Sequence, residues 1–297
     1  MKLGALIRDT EKRFRSARLH YGHGTSNARD EAFFLVLRGL ALPFDAYLAR
    51  QVTRVEIRRI DSLIRKRVAK RIPAAYLLKE AWLDGHAFYV DRRVIVPRSH
   101  VAQLLRDERQ PLLSRAPRRV LDLCTGSACL AILAALAYPR AEVHASDVSA
   151  GALAVARRNV ERYRVQRRVR LIRSDLFSAL ENERYDLIVT NPPYVSTRSM
   201  RELPAEYRHE PGIALAGGGD GLQFVARIVA EAPQHLRSGG VLVCEVGDGR
   251  RTVEHAFPRL PLVWPREQLF IAERAALSSL ASTAASLPVR SRRARGR

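Results

Sequence analysis

Cysteine is scarce in this chain: Cys124, Cys129 and Cys244 are its only three among 297 residues. They form no CxxC pair and no cluster with histidine, which argues against a disulfide framework and supplies no ligand set for a metal. Three small buried hydrophobes are expected instead. Long apolar runs are lacking too. The most hydrophobic stretch, LAILAALAY at 130–138, falls far short of the ~20 residues that a membrane span needs. The N-terminus has no apolar core of a secretory signal, and Asp9 and Glu11 interrupt the arginines that a transit peptide would show. A cytoplasmic protein without membrane contact is expected. The dinucleotide fingerprint GxGxxG is absent. Acidic residues are in deficit, with 30 Asp+Glu against 51 Lys+Arg, and the resulting charge of +21 favours contact with rRNA or a ribosome precursor. Charge balance of this kind says nothing about fold.

What is present reads as a helical segment followed by alternating strands and helices. At 45–72, Leu48, Val52, Val55, Ile60, Leu63, Ile64 and Val68 recur at near-helical spacing. Between them lies a basic face of Arg54, Arg58, Arg59, Arg65, Lys66, Arg67, Lys70 and Arg71, expected to be solvated or to act as an electrostatic dock. With a second helical run at 30–43, residues 1–75 are expected to be a small helical domain. Residues 76–100 carry aromatic and β-branched residues around Asp84-Gly85 and Asp91-Arg92, the pattern of a β-hairpin linker.

Strands are expected from 119, 142, 169, 185 and 241, with helices from about 128, over 150–163 and over 220–236. This alternation predicts an open, mostly parallel α/β sheet in a domain over 101–280. Residues 281–297 are rich in arginine and have little to bury, so a disordered basic tail is expected there.

In open α/β sheets, ligands bind beyond the carboxyl ends of the strands. The first such turn is Asp122-Leu123-Cys124-Thr125-Gly126-Ser127-Ala128, where Gly126 permits a tight turn and a close backbone approach. Asp147 follows Gly126 by 21 residues, at the end of the second strand, where a carboxylate can accept both ribose hydroxyls. Asp175, followed by Leu176, ends the third strand and is placed to meet an adenine amino group. An ordered set of acids without a pyrophosphate cradle fits S-adenosyl-L-methionine, whose sulfonium and ammonium groups tolerate nearby carboxylates. Taken singly, each Asp could equally be a helix cap or turn former.

The fourth strand, YDLIVT, ends abruptly in Asn191-Pro192-Pro193-Tyr194. Two prolines remove two donors and fix two φ angles, so neither helix nor central strand can continue. A planar amide-like or aniline-like nitrogen is a poor nucleophile, and positioning supplies much of the help in methylating it. The Asn191 side-chain oxygen and a proline carbonyl can accept the two N–H bonds of an NH2 group, and Tyr194 can stack on its flat face. The two prolines stiffen that clamp.

Together, YGHGT at 21–25, FYVDRRVIVPRS at 88–99, LDLCTGS at 121–127, RSDLF at 173–177, NPPYV at 191–195 and LPAEYRHEP at 203–211 carry a family resemblance. The chain resembles the HemK-type protein N5-glutamine methyltransferases, and within them the branch acting on large-subunit ribosomal protein L-three. The resemblance implies a class I, Rossmann-like methyltransferase domain that uses S-adenosyl-L-methionine, preceded by a helical substrate-recognition domain over 1–75 and a β-hairpin linker. It implies that Asn191 binds both cofactor and substrate amide, that Pro192, Pro193 and Tyr194 complete the glutamine pocket, and that Cys124 to Ala128 wrap the methionine part.

Ala128 stands where that family usually has glycine, and LPLVWPREQLFIAER at 260–274 is short, leaving the final strand hairpin unassigned. His23 reads as a hydrogen-bonded structural residue and Glu210 as a pocket residue or a partner of Arg208. The glycine run at 216–221 reads as a substrate-loop hinge with Asp220 as cap. Other readings of the same residues are methylation of a release-factor glutamine, N6-methylation of adenine in nucleic acid, and a non-catalytic assembly factor.

Overall fold

The structure is a computed structural model and describes residues 1–106, 113 and 115–285, with backbone only for 280–285. Helices α1 (Leu3–Ser16), α2 (Ala28–Gly39), α3 (Arg54–Lys70) and α4 (Ala74–Leu78) come first. Leu3, Phe14, Leu35, Ile60 and Ile64 form their shared core. The start of α3 is set by a reciprocal capping box: the Glu56 amide donates to Thr53 Oγ1 at 3.2 Å, and the Thr53 amide donates to Glu56 Oε2 at 2.8 Å. The helix expected from residue 45 therefore begins at 54. Leu48 and Val55, read as core positions, are 46% and 67% exposed.

Arg67, read as part of the basic face, is completely buried. Its Nε donates to Glu31 at 2.6 Å, its Nη1 to Glu206 at 3.2 Å and its Nη2 to the His20 carbonyl at 2.8 Å. A buried guanidinium persists only where its donors are matched in this way.

The linker holds a shorter hairpin than expected. Strands β1 (Ala81–Leu83) and β2 (His86–Phe88) pair antiparallel across Asp84-Gly85. The second turn signal closes no hairpin, because Asp91 accepts from the Arg93 amide and guanidinium.

Then follow α5 (Val101–Arg106), β3 (Arg119–Leu123), α6 (Cys129–Ala137), β4 (Glu142–Asp147), α7 (Ala150–Arg162), β5 (Val169–Arg173), β6 (Tyr185–Thr190) and α8 (Thr197–Glu202). After two 3₁₀ turns come α9 (Gln223–His235), β7 (Leu236–Glu245), α10 (Arg250–Ala256), β8 (Val263–Arg266), β9 (Leu269–Glu273) and α11 (Arg274–Ala285). The sheet order is β5-β4-β3-β6-β7-β9-β8. The first five strands run parallel, while β9 is antiparallel to β7 and β8. This is the expected mostly parallel α/β architecture, and β8–β9 supply the final hairpin that the sequence left unassigned.

Core residues cover both faces of the sheet. Val120, Val143 and Leu187 belong to one cluster, while Leu121, Ile188 and Leu242 belong to the other. Buried strands of this kind read in sequence as near-continuous apolar runs. The chain steps from β3 outward to β4 and β5, then returns to the other side of β3 with β6. That reversal opens a crevice above the carboxyl ends of β3, β4 and β6. Among the described residues, no helix is long and apolar enough to cross a membrane. The tail expected from 281 begins within α11, and residues 286–297 lie outside the described residues.

Candidate active site

The turn after β3 carries three left-handed residues, Cys124, Gly126 and Ala128, at φ 61°, 54° and 62°. Two acids hold it. Asp147 accepts from the Gly126 amide at 2.9 Å through Oδ2 and from the Ser149 amide at 2.8 Å through Oδ1. Burial raises its pKa against those two bonds. Asp122 sits beneath the turn and accepts from the Thr125 hydroxyl and, at 2.9 Å, from the Ala131 amide. Its Oδ1 has no partner, and burial pushes its pKa up to about 7.

A third brace was missed in the sequence. Asn159 on α7 donates to the Ser127 carbonyl at 2.9 Å and makes two bonds to the Tyr89 backbone, tying turn to linker. It sat unnoticed among arginines on a helix otherwise read by its alanines and valines.

A cavity of about 320 Å³ opens beside this turn. Cys124, Gly126, Asp147, Asp175, Leu176 and Asn191 line it, whereas Asp122, Thr125, Ser127 and Ala128 lie below and shape the loop. Among the lining residues that had not been singled out are Ile95 from the linker and Phe224 and Arg227 from α9. Arg227 Nη1 reaches Asp175 Oδ1 at 3.1 Å, and the other carboxylate oxygen has no hydrogen-bond partner among the described residues.

A second cavity, of about 420 Å³, lies across Asn191. Its wall includes Pro192, Tyr194, Arg98, Tyr207 and Asp248. Ile95, Asn191 and Ala214 line both cavities. Among the described residues the Asn191 side chain makes no hydrogen bond, so its amide is unspent at the junction.

The segment after β6 is braced from two sides. The Val195 amide donates to the Leu215 carbonyl and the Gly217 amide to the Val195 carbonyl, both at 2.8 Å. The glycine run thus packs on the clamp as part of its frame: a Cβ at Gly221 would stand 2.4 Å from the Tyr194 carbonyl oxygen. Gly247, at φ 54°, lies under the Tyr194 ring, where a Cβ would approach Cε2 to 2.6 Å. Burial, followed by the Glu245 charge, pushes the Tyr194 phenol well above its usual pKa. Glu245 accepts from the Ser99 hydroxyl at 2.5 Å and the His100 amide at 3.1 Å, and burial raises it to about 7.

Glu210 pairs with Arg98, not Arg208. The fork is bidentate, at 2.5 and 2.6 Å, and a further bond comes from the Val96 amide at 2.9 Å. His23 is buried as a structural residue should be, yet neither ring nitrogen is hydrogen-bonded. It packs on Tyr207 with ring centroids 4.4 Å apart. Burial and then Arg98 lower its pKa to about 3, so it is neutral beside Glu210.

A mostly parallel sheet, a glycine turn and two acids at its switch point, and a shared Asn-Pro-Pro-Tyr wall define an α/β methyltransferase. Residues 103–206 match the Methyltransferase small domain family. Relatives include a ribosomal protein uL3 glutamine methyltransferase from Bordetella pertussis, 54% identical over 87% of this chain and 89% of the relative. The protein of that name from Burkholderia pseudomallei is 51% identical over 87% and 88%. A solved methyltransferase from Pyrococcus furiosus aligns with a TM-score of 0.47 at 20% identity, over 73% of this chain and 98% of that one. The chain belongs to the ribosomal protein uL3 glutamine methyltransferase family.

Proposed function

We propose that the protein transfers a methyl group from S-adenosyl-L-methionine to the side-chain amide nitrogen of a glutamine in ribosomal protein uL3. The observation that carries this reading is the unpartnered Asn191 amide at the junction of two cavities. The residues of the smaller cavity fit the cofactor. Asp147 offers lone pairs beyond those used by the turn to ribose hydroxyls, the free oxygen of Asp175 suits an exocyclic amine, and Leu176 and Phe224 offer apolar cover to a purine. When bound, the cofactor supplies an electrophilic methyl group on a sulfonium.

In the larger cavity the substrate glutamine lies with its NH2 group toward Asn191. Asn191 Oδ1 and the Pro192 carbonyl accept its two N–H bonds, which fixes the nitrogen toward the methyl and stabilises positive charge as it develops. Pro193 continues from that grip into the wall of the cofactor cavity. Tyr194, supported by Gly247, covers the flat face of the amide. Once the nitrogen carried the methyl group, the proton it sheds would pass to solvent, and the bond broken would be the one between that methyl and the sulfonium sulfur, which would become a neutral thioether.

The helical unit of α1–α3 serves substrate recognition, because its Arg67 fixes the turn that presents Tyr207 to the larger cavity. The reaction belongs in the cytoplasm, on the ribosomal protein or an early ribosome precursor. Mass spectrometry of uL3 incubated with the full chain and S-adenosyl-L-methionine tests the proposal. A methyl on a glutamine side chain is expected, and unmodified uL3 beside a methylated release factor would replace it with the sibling reading.

A further inference from the structure

Between 157 and 173 the chain carries eight arginines and a single acid, Glu161. Arg157, Arg158 and Arg162 lie on the outer side of α7, whose opposite side buries Ala152, Val155, Ala156, Asn159 and Val160. Arg164 and Arg167 follow in the turn, and β5, the edge strand of the sheet, carries Arg173 on the side that α7 covers and Arg170 on the other. Only Arg168 turns inward, to the Ala135 carbonyl at 2.6 Å.

The seven exposed arginines make no ion pair among the described residues, as is true of Arg54, Arg58 and Arg59 on α3, whereas Arg13, Arg38, Arg50 and Arg237 are matched to Asp61, Glu80, Glu56 and Asp186. Arg158 lies over the Tyr89 ring at 3.8 Å, which occupies a face of its guanidinium and leaves the charge unneutralised. Like charges four apart on a helix, such as Arg158 and Arg162, repel. Charges on an edge strand blunt strand addition, which accounts for Arg170 and Arg173. That role does not reach the outer side of α7.

From these exposed arginines, free of ion pairs among the described residues, we infer an RNA-binding surface on α7 and the turn that follows it, continuing to Arg173 on β5 and separate from the basic side of α3. Guanidinium forks suit phosphate oxygens, and α7 is long enough, at about 20 Å, to follow several phosphates. The surface ends beside the cofactor cavity, where Arg173 donates to the carbonyl of Val148, one of its lining residues. The choice of RNA over an acidic protein rests on the proposed substrate, which is itself an RNA-bound protein; binding as such needs no methyl transfer.

The test is fluorescence anisotropy of a labelled RNA hairpin of mixed sequence against the full chain at several salt concentrations. The quadruple variant Arg157→Gln, Arg158→Gln, Arg162→Gln, Arg164→Gln is expected to weaken binding by about tenfold or more. Its salt slope should fall by about 3, at about 0.7–0.9 for each of the four phosphates no longer neutralised. Methylation of isolated uL3 should be unchanged, so failure of this inference and failure of the glutamine reading are separable. Unchanged affinity and slope would overturn the inference. So would loss of binding only in an Arg54→Gln, Arg58→Gln, Arg59→Gln variant or in a chain lacking 286–297. Equal binding of poly-glutamate at the same salt would point to a protein partner instead.

Discussion

Arg67 and Glu206 stand 139 residues apart in sequence and 3.2 Å apart in space, and both are buried. The pair joins α3 to the turn that follows the Asn-Pro-Pro-Tyr segment, and Glu31 completes it from α2 at 2.6 Å. Removing one member of such a group strands the others without a counter-charge. Arg67→Met is therefore expected to destabilise the protein by about 3–5 kcal/mol, read from urea denaturation. A loss below about 1 kcal/mol would show that the carboxylates find other partners.

Gly247→Ala places a methyl group against the Tyr194 ring and an L-residue at φ 54°. The left-handed backbone alone costs about 1–2 kcal/mol. The ring must also shift from the wall of the larger cavity. Turnover should fall by about tenfold or more while circular dichroism stays native, since each 1.36 kcal/mol in the barrier is a factor of ten. Wild-type kinetics would mean that Tyr194 does not need this seat.

Burial raises Glu245 from its usual 4.5 to about 7, so the folded state binds a proton that the unfolded chain has already released. A raised folded pKa contributes stability that is complete below about pH 4 and is lost as pH rises through about 7. Asp122, also raised to about 7, acts in the same direction. Glu245→Gln keeps an acceptor for Ser99 and His100 but cannot ionise. Thermal melts should show this variant gaining on wild type between pH 5 and 7, and an unchanged gap would contradict the shift.

Ala128 occupies a left-handed position at φ 62° and ψ 24°, with its methyl group buried. The strain of about 1–2 kcal/mol is offset by about 0.8 for the methyl and about 0.4–1 for the extra unfolded freedom that glycine would bring. Ala128→Gly should therefore change stability by less than about 1 kcal/mol, measured by chemical denaturation. Ala128→Val, with a branched Cβ in the same backbone state, should be clearly worse.

Much of the fold was legible because it rests on local pattern. The apolar runs at 119, 142, 169, 185 and 241 became β3 to β7, and Asp147 and Asn191 stand at strand ends as their positions implied. Residues brought in by distant contacts were not legible. Arg98 meets Glu210 across 112 residues, and Ser99 meets Glu245 across 146. Phe224 and Arg227 looked like an ordinary helix face.

Arg67 had a signal that was misread. It follows Ile60 and Ile64 at helical spacing, so its position belonged to the buried stripe although its chemistry suggested the surface. At the start of α3 a local rule overrode periodicity, because the Thr53–Glu56 capping box stopped a helix that hydrophobic spacing alone would have extended.

The central claim is that Asn191 grips a glutamine amide of uL3 between two cavities. It is tested most directly by mass spectrometry of uL3 after incubation with S-adenosyl-L-methionine and either the wild-type chain or Asn191→Ala. Wild type should place one methyl group on a glutamine side chain, and the variant should place almost none while keeping its native circular dichroism. Methylation by the variant at the wild-type rate, or methyl transfer to RNA in place of protein, would contradict it.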